Sequence, residues 1–226
     1  METQAVSELF PLFNTANIET LEWLLSVAEE EEYEQDSVLV TEDTWGKAVY
    51  FIVSGWVKVR RLSGDETFTL AILGRGDFFG EMAILDESPR STDVSALSPV
   101  KLLSIPAQKF VQTLFKDPQL HHRMLQLMVR RLRQTNIRFQ LRNQPPAVKL
   151  ANILVNLAEA YGQQGSTIEI FNVPLSDLAN VADIGLNEAT KIIDLMNSKG
   201  WIKVNEASQT MSLVNFKQLQ QLAHKV

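Results

Sequence analysis

A long amphipathic helix that ends at two consecutive prolines constrains the fold of this chain more than any other sequence feature. Between residues 117 and 143, mostly apolar side chains recur at the spacing of three or four positions that marks one face of a helix. They are Leu120, Met124, Leu127, Met128, Leu132, Thr135 and Phe139. A helix of about 26 residues is roughly 40 Å long, which exceeds the width of a small domain. The stripe therefore predicts a coiled-coil seam between two copies of the chain. The alternative is a helix that packs only on its own domain.

The two prolines place a boundary in the chain. Pro145 and Pro146 must end the helix, because proline lacks an amide donor and pushes the preceding residue out of the helical region. We therefore expect a hinge at 144–146. The predicted parts are a domain over residues 1–116, a dimerisation helix with its hinge over 117–146, and a second domain over 147–226.

The segments before the helix predict a β-rich domain. Residues 37–105 contain short apolar runs separated by turn residues, which is typical of a β-barrel or jelly roll. Gly55 and the pair Gly64-Asp65 are predicted to form hairpin turns. Residues 8–35 predict one or two amphipathic helices, with the acidic run Glu29–Glu32 on a solvated face or at a helix end.

The segment after the prolines predicts a winged helix. Its pattern indicates a helix over 147–161, a strand over 167–171, two further helices, and a strand pair over 201–204 and 211–214. The predicted fold class is thus α+β, with a β-roll followed by a long helix and a winged helix.

Charge and cysteine content narrow the function classes. The formal net charge is −6, and it divides into −10 over residues 1–116, +5 over 117–146 and −1 over 147–226. The absence of cysteine excludes disulfides, thiolate zinc sites, cysteine-ligated iron–sulfur clusters and thiol nucleophiles. No secretory signal or apolar run of about 18 residues is present, so we expect a cytoplasmic protein without membrane contact. The acidic residues show no metal-ligand spacing and no paired arrangement, so neither a metal site nor an enzyme is expected.

Residues 76–92 predict a phosphate-binding site. Gly80 and Glu81 begin a short helical turn whose free amide groups attract a phosphate. Arg90 supplies a cation with fork geometry and Ser91 a hydroxyl donor, while Glu81 can accept a hydrogen bond from a sugar hydroxyl. The alternative is an ordinary turn in which Glu81 and Arg90 form an ion pair.

The pattern G-E-x-A-x-L followed by P-R-S resembles the phosphate-binding cassette of cyclic nucleotide-binding domains. The whole chain resembles the Crp/Fnr family of bacterial transcription regulators. The resemblance implies a homodimer with an N-terminal cyclic nucleotide-binding β-roll of jelly-roll type and a C-terminal winged helix-turn-helix. It also implies a bound cyclic nucleotide, first of all cAMP, whose ligand-binding residues would be Gly80, Glu81, Met82, Ala83, Arg90 and Ser91.

The long helix carries further expectations from the same resemblance. Thr135 and Asn136 correspond to a Thr-Ser pair that meets the adenine in the family's cAMP receptors, with Asn136 in place of the usual Ser. Without cysteine, the chain cannot belong to the family's iron–sulfur oxygen sensors. Its three histidines, His121, His122 and His224, stand at unsuitable positions for a haem sensor.

A second effector is suggested by arginines on the long helix. The spacing of Arg138 and Arg142 resembles an R-x-x-x-R pattern used elsewhere for cyclic di-GMP, since Arg planes stack on guanine and bind phosphates. The alternative ligand-binding residues are Arg130, Arg133, Arg138 and Arg142. Arginines of this kind are also common on solvated helix faces, or could pair with the acidic barrel of a second copy.

Residues 175–193 resemble a helix-turn-helix, with its turn at 183–185 and a recognition helix over Asn187–Ser198. Ile192, Ile193, Leu195 and Met196 are predicted to form the buried side of that helix. The candidate contacts to double-stranded DNA are Ser176, Leu186, Asn187, Thr190 and Lys191.

The predicted DNA reader departs from the family pattern. Leu186 and Asn187 stand where an Arg and a Glu usually read base edges, and residues 147–226 contain no Arg. Affinity for a duplex depends largely on neutralisation of several phosphates, which a unit of net charge −1 supplies poorly. The alternative is weak or absent DNA binding, with the winged helix acting on a protein partner such as another regulator.

Overall fold

The computed structural model describes residues 2–63, 66–165 and 167–223, so the predicted Gly64-Asp65 turn and His224 lie outside the described residues. The chain forms two compact units, residues 1–134 and 135–226. The first unit begins with α1 (Thr3–Leu9), α2 (Ile18–Ser26), β1 (Glu29–Tyr33), β2 (Val38–Val40), β3 (Ala48–Ser54), β4 (Val57–Ser63), β5 (Glu66–Leu73) and β6 (Phe78–Phe79). It continues with α3 (Glu81–Leu85), β7 (Asp93–Ala96), β8 (Val100–Pro106), α4 (Ala107–Lys116) and most of α5 (Pro118–Gln140).

Two four-stranded antiparallel sheets form the barrel, in the strand orders β1-β8-β3-β6 and β2-β7-β4-β5. Alternate residues of each strand point inward, so the two sheets enclose an apolar core. Its buried members are Val40, Ile52, Val57, Phe79, Val94, Ala96, Val100 and Leu102. The β-roll expected from the sequence is confirmed.

The sheet that contains β3 and β8 is buried on both faces. Its second face packs on the helices of the unit, and the aromatic ring of Phe51 lies at the centre of this contact. Its ring centroid is 5.3 Å from that of Phe10, 4.8 Å from Phe13, 5.6 Å from Phe78 and 6.2 Å from Phe110. This aromatic cluster attaches the helical layer to the barrel.

Gly55 forms the predicted turn between β3 and β4. Its φ is +86°, and a Cβ atom there would lie 2.2 Å from the carbonyl oxygen of Pro99. Only glycine satisfies both conditions. The predicted turn is therefore confirmed, but the hairpin is wrong, because β3 and β4 belong to different sheets and do not pair with each other.

The helices expected over residues 8–35 are shorter than predicted. The acidic run Glu29–Glu32 lies in β1, at the edge of a sheet. The predicted helix end is therefore wrong, whereas the predicted solvated face is confirmed, because three of the four residues are exposed. The Nζ atom of Lys101 on the neighbouring β8 lies 2.6 Å from Glu30 and 3.7 Å from Glu32. Lys101 thus offsets the repulsion between carboxylates of an edge strand that remains largely exposed.

Asp117 determines where the long helix begins. Its Oδ1 atom accepts hydrogen bonds from the amides of Gln119 and Leu120, at 2.9 and 3.0 Å, as an N-cap does. Its Oδ2 atom accepts from the amide of Asn17 at 2.8 Å. One buried carboxylate therefore caps α5 and attaches it to the start of α2.

The apolar residues of α5 divide into a buried set and an exposed set. Leu120 and Met124 are buried in the core of their own unit, so their assignment to a dimer seam was wrong. Leu125, Leu132 and Phe139 recur every seven residues and are 55%, 61% and 71% exposed. The helix ends at Gln140 and is followed by a 3₁₀ turn, Leu141–Asn143.

The second unit has the predicted plan of a winged helix. It contains the end of α5, the 3₁₀ turn, α6 (Pro146–Tyr161), β9 (Gln163–Gln164), β10 (Ile168–Phe171), α7 (Leu175–Ala182), α8 (Leu186–Ser198), β11 (Ile202–Asn205), β12 (Thr210–Leu213) and α9 (Phe216–Ala223). Its sheet has the order β11-β12-β10-β9. The sequence did not predict β9 or α9, and α9 packs on α6. Met196 is buried on α8, but Leu195 is 53% exposed, so its assignment to the buried side was wrong.

Two absences hold for the part of the chain that the structure describes. None of its helices is both long enough and apolar enough to cross a membrane. Nor does it gather three or more His, Asp or Glu residues into a group that could bind a metal ion.

Replacing Phe51 by Ala should lower the free energy of unfolding by about 3–5 kcal/mol, because a fully buried ring would leave a cavity between sheet and helices. Urea denaturation followed by far-UV circular dichroism measures this change. Phe115→Ala is the matched control, since Phe115 is 80% exposed and its loss should change the stability by less than about 0.5 kcal/mol. Equal effects of the two variants would contradict the role given to the aromatic cluster.

Candidate functional site

A tight turn joins β6 to α3 and forms one wall of the candidate site. Gly80 lies in this turn with a φ of +86°. A Cβ atom there would lie 2.5 Å from the Nη1 atom of Arg90. The residue must therefore be glycine, for its backbone conformation and for the space that Arg90 occupies.

Arg90 reaches the site from the strand-like segment opposite the turn. Its amide donates to the carbonyl of Thr44 at 2.7 Å, and its carbonyl accepts from the amide of Asp43 at 2.8 Å, which fixes the backbone. Its side chain is buried, with Nη2 donating to the carbonyl of Ala48 at 2.7 Å and Nη1 donating to the carbonyl of Gly80. Burial lowers the pKa of Arg90, because desolvation disfavours its charged form. An anion bound beside it would offset this cost.

Glu81 stands at the start of α3 and is only 2% exposed. Its carboxylate accepts a hydrogen bond from Nη1 of Arg131, a residue of α5. The Nη2 atom of Arg131 donates to the carbonyl of Phe78 at 2.6 Å, and its guanidinium carbon lies 4.3 Å from the centroid of the Phe78 ring. Arg131 thus connects the long helix to the cassette.

The structure does not contain the Glu81–Arg90 ion pair that the sequence offered as the alternative to a phosphate site. Glu81 pairs with Arg131, whereas two backbone carbonyls hold the guanidinium of Arg90. Together Glu81, Arg90 and Arg131 carry a net charge of +1. A partly buried site of this charge favours a monoanion that also offers hydroxyl donors to the carboxylate.

The other predicted ligand-binding residues differ in burial and in the unit to which they belong. Ala83 is buried, while Met82 is 62% exposed and Ser91 lies at the surface near Arg90. Thr135 and Asn136 are exposed residues of α5, one turn beyond Arg131, and belong to the second unit. Their contact with a nucleotide in the barrel stays a prediction.

The arginines proposed for cyclic di-GMP separate into two pairs. Arg130 and Arg133 are on α5 in the first unit. Arg138 and Arg142 line one cavity of about 300 Å³ in the second unit. The structure therefore brings Arg138 and Arg142 together around a common space.

The candidate DNA contacts lie at the surface of the winged helix. Ser176, Leu186, Asn187, Thr190 and Lys191 are all exposed, and the hydroxyl of Thr190 donates to the carbonyl of Leu186 at 2.9 Å. The helix-turn-helix turn has the predicted position, because Asp183 adopts a left-handed conformation and Gly185 precedes α8.

The net charge of α8 does not favour binding to double-stranded DNA. Along this helix Glu188 and Asp194 outnumber Lys191, and Leu186 is 51% exposed in its first turn. The helix thus presents a net charge of −1 and an apolar side chain where the family pattern has an arginine.

Sequence reasoning did not assign Arg131 or Phe78 to the site. Arg131 is one of six arginines between residues 117 and 146, and it stands one turn before Thr135. A basic residue at that distance from the predicted adenine contact was the available signal. Phe78 had none, because its role arises from the backbone carbonyl and ring face that it offers to Arg131.

Known proteins resemble the chain in sequence and in fold. The model of the cyclic nucleotide-binding domain matches residues 30–117. The cyclic AMP receptor protein of Thermus thermophilus is 28% identical over 197 residues, which cover 86% of this chain and 88% of that protein. The cAMP-activated global transcriptional regulator CRP of Salmonella typhimurium is 32% identical over 145 residues, which cover 62% of this chain and 68% of that protein.

A solved structure supports the same fold. The c-di-GMP responsive global regulator CLP of Xanthomonas campestris has a TM-score of 0.68 and 18% identity, over 87% of this chain and 99% of that one. The Salmonella relative is named as a transcriptional regulator. With its barrel, its cassette and its winged helix, this chain belongs to the Crp/Fnr family of cyclic nucleotide-responsive transcription regulators.

Proposed function

We propose that this protein is a cytoplasmic homodimer that binds cAMP in its barrel and passes the signal to a DNA-binding winged helix. The observation that carries this proposal is the pair of buried charged residues Glu81 and Arg90 in the cassette, with the half-buried Arg131 bound to the carboxylate of Glu81. The relatives named for cAMP support the choice of nucleotide.

Each part of the nucleotide has a partner of suitable chemistry. The cyclic phosphate carries one negative charge and would lie beside Arg90, with Ser91 and the first amides of α3, at Met82 and Ala83, as further donors. The ribose 2′-hydroxyl would donate to Glu81. Thr135 and Asn136 would meet the adenine.

Arg131 gives the ligand a route to the long helix. A ribose hydroxyl that donates to Glu81 would share the carboxylate with Arg131, so the bound nucleotide would be connected through Glu81 to α5. An effector shifts a conformational equilibrium of a protein only if it binds the two conformations with different affinities. In this proposal, the energy of the Glu81–Arg131 contact would differ between the two conformations.

The homodimer is supported by the exposed stripe of α5. Leu125, Val129, Leu132 and Phe139 are large apolar side chains that are between 48% and 71% exposed. Their heptad spacing is that of a coiled-coil seam.

Cyclic di-GMP is the second candidate effector, and the cavity shared by Arg138 and Arg142 favours it. A dinucleotide has two phosphates and two guanines, and paired arginines can bind either group. In this alternative the winged helix binds DNA weakly or not at all and acts on a protein partner, such as another transcription regulator.

Replacing Arg90 by Gln should lower the affinity for cAMP by roughly 10- to 100-fold, because hydrogen bonds to charged groups each contribute about 1.5–3 kcal/mol. Isothermal titration calorimetry with cAMP, cGMP and cyclic di-GMP measures the effect. Arg75→Gln is the matched control, since Arg75 is an exposed arginine of the same unit. An unchanged cAMP affinity in a folded Arg90→Gln protein would overturn the barrel site, and preferential binding of cyclic di-GMP would favour the second effector.

Replacing Leu132 by Glu should dissociate the dimer, because two charges would face each other in the middle of the seam. Sedimentation velocity should show a monomer for Leu132→Glu. Leu62→Glu introduces the same charge at a leucine of β4 that is 58% exposed, and this variant should remain a dimer. If Leu132→Glu sediments as the wild type does, α5 is not the seam.

DNA binding, if α8 mediates it, should depend weakly on salt. Each neutralised phosphate contributes about −0.9 to the slope of log K against log salt, and few lysines are available, so we expect a slope no steeper than about −4 per dimer. Fluorescence anisotropy with promoter fragments at several salt concentrations measures this slope. A steeper slope would show that the charge argument is wrong, while affinity for a partner protein without affinity for DNA would favour the alternative output.

A further inference from the structure

The short helix α3 has an exposed apolar face as well as buried residues. Glu81 and Ala83 are its buried members and belong to the candidate site. By contrast, the side chain of Met82 is 62% exposed and that of Leu85 is 42% exposed. These two residues are three positions apart, so they lie on the same face of the helix. The same helix therefore takes part in the candidate site and presents apolar side chains to the solvent.

The loop before β3 extends this apolar face. Trp45 pairs with Pro89, which follows α3, in a single antiparallel bridge. A Cβ atom at Gly46 would lie 3.2 Å from the Cγ1 atom of Ile84, so the loop packs directly on α3. The side chain of Trp45 is 68% exposed. We call the resulting surface the α3 patch, formed by Trp45, Met82 and Leu85.

The backbone around Trp45 is held in place by its neighbours. The amide of Asp43 donates to the carbonyl of Arg90 at 2.8 Å, and the amide of Arg90 donates to the carbonyl of Thr44 at 2.7 Å. A surface that is already ordered loses less conformational entropy when a partner binds to it. The α3 patch is therefore a preformed docking surface.

The charges around the α3 patch are mostly negative. Residues 43–47 and 82–89 contain Asp43, Asp86 and Glu87 but only one basic residue, Lys47, so their net charge is −2. All four charged residues are exposed. An acidic surface repels the phosphates of nucleic acids and of anionic lipids, and it attracts a basic partner.

The residue types of the α3 patch are those of protein interfaces. Tryptophan and methionine are enriched in the cores of such interfaces, and an exposed apolar patch with a polar rim is typical of a docking site. An amphipathic helix offers an apolar face with charged residues beside it. With basic residues on its flanks, such a helix matches both the apolar side chains and the acidic rim.

We propose that the α3 patch binds a basic amphipathic helix of a partner protein. Apolar residues of that helix cover Trp45, Met82 and Leu85, and its lysines or arginines pair with Asp86 and Glu87. The inference goes beyond the proposed function, because it requires no nucleotide, no DNA and no contact along the seam of α5. A partner bound there contacts the same helix that supplies Glu81 to the candidate site.

The test uses the full-length protein without nucleotide, and its probe is a synthetic helical peptide with Leu on one face and Lys on the other. Fluorescence anisotropy of the labelled peptide should show binding that Trp45→Ala weakens by roughly tenfold or more, because buried tryptophans dominate the energy of interfaces. Phe115→Ala is the matched control, since it removes another exposed ring from the same unit and should leave the affinity within about twofold.

A second pair of variants tests the acidic rim. Glu87→Gln should weaken the Lys peptide about two- to fivefold, the range expected for a solvent-exposed ion pair. Glu34→Gln removes an exposed carboxylate from the turn between β1 and β2 and should have a smaller effect. Both changes replace exposed side chains, so these variants should fold as the wild type does. A peptide with Glu in place of Lys should not bind.

Hydrogen exchange locates the contact, because the Lys peptide should protect residues 43–47 and 82–89. The proposal is overturned if the Lys peptide does not bind, if the Glu peptide binds as tightly, if Trp45→Ala equals Phe115→Ala, or if the protection falls elsewhere. Sedimentation velocity detects a second copy as the occupant. If the wild type forms assemblies larger than a dimer that Trp45→Ala abolishes, the α3 patch serves self-association and the proposal is wrong. The cAMP titration of Arg90→Gln tests the barrel site separately, so the two proposals can fail independently.

Discussion

The buried carboxylate of Glu81 places a demand on the elements around it. A charged group that is removed from water requires a partner of opposite charge, or the cost of burial destabilises the fold. Arg131 meets this demand from a different secondary-structure element, and its guanidinium also binds the carbonyl and the ring of Phe78. The β6–α3 turn, the carbonyl of Gly80 and the side chain of Arg90 are arranged around the same point. The position of α5 on the barrel and the chemistry of the site are therefore determined together.

The fold was largely readable from local patterns. The period of apolar residues distinguished the strands of residues 37–105 from the helices that follow, and Pro145 and Pro146 marked the end of the long helix. The errors came from tertiary contacts. The run Glu29–Glu32 has a composition that suits an exposed helix, yet pairing with β8 and its Lys101 makes it a strand. Leu120 and Met124 have the same helical spacing as Leu132. They are buried in the core of their own unit because the barrel and its helices cover that part of α5, which the sequence spacing does not reveal.

The candidate site was predicted in part for a similar reason. Glu81, Arg90 and Ser91 lie within one short segment, so their pattern was visible in the sequence. Arg131 is 50 residues from Glu81, and its side chain resembled those of the neighbouring arginines until the structure separated them. Arg138 and Arg142, farther along the helix, were likewise not distinguishable by sequence from the other arginines. They line a cavity whose other walls come from α6 and from the turn after α7, which are distant in the sequence.

The N-cap of α5 has a consequence for how the protein folds. Asp117 contacts Gln119 and Leu120 within its own turn, but its bond to the amide of Asn17 joins positions that are 100 residues apart. Closing so long a loop is entropically costly, and contacts of this range tend to form late. The helix can therefore be capped early by its own sequence, while its attachment to the start of the chain must wait until the strands between them have assembled. Completion of the barrel and anchoring of α5 are therefore coupled, so a barrel that has not closed cannot hold that helix in its final place.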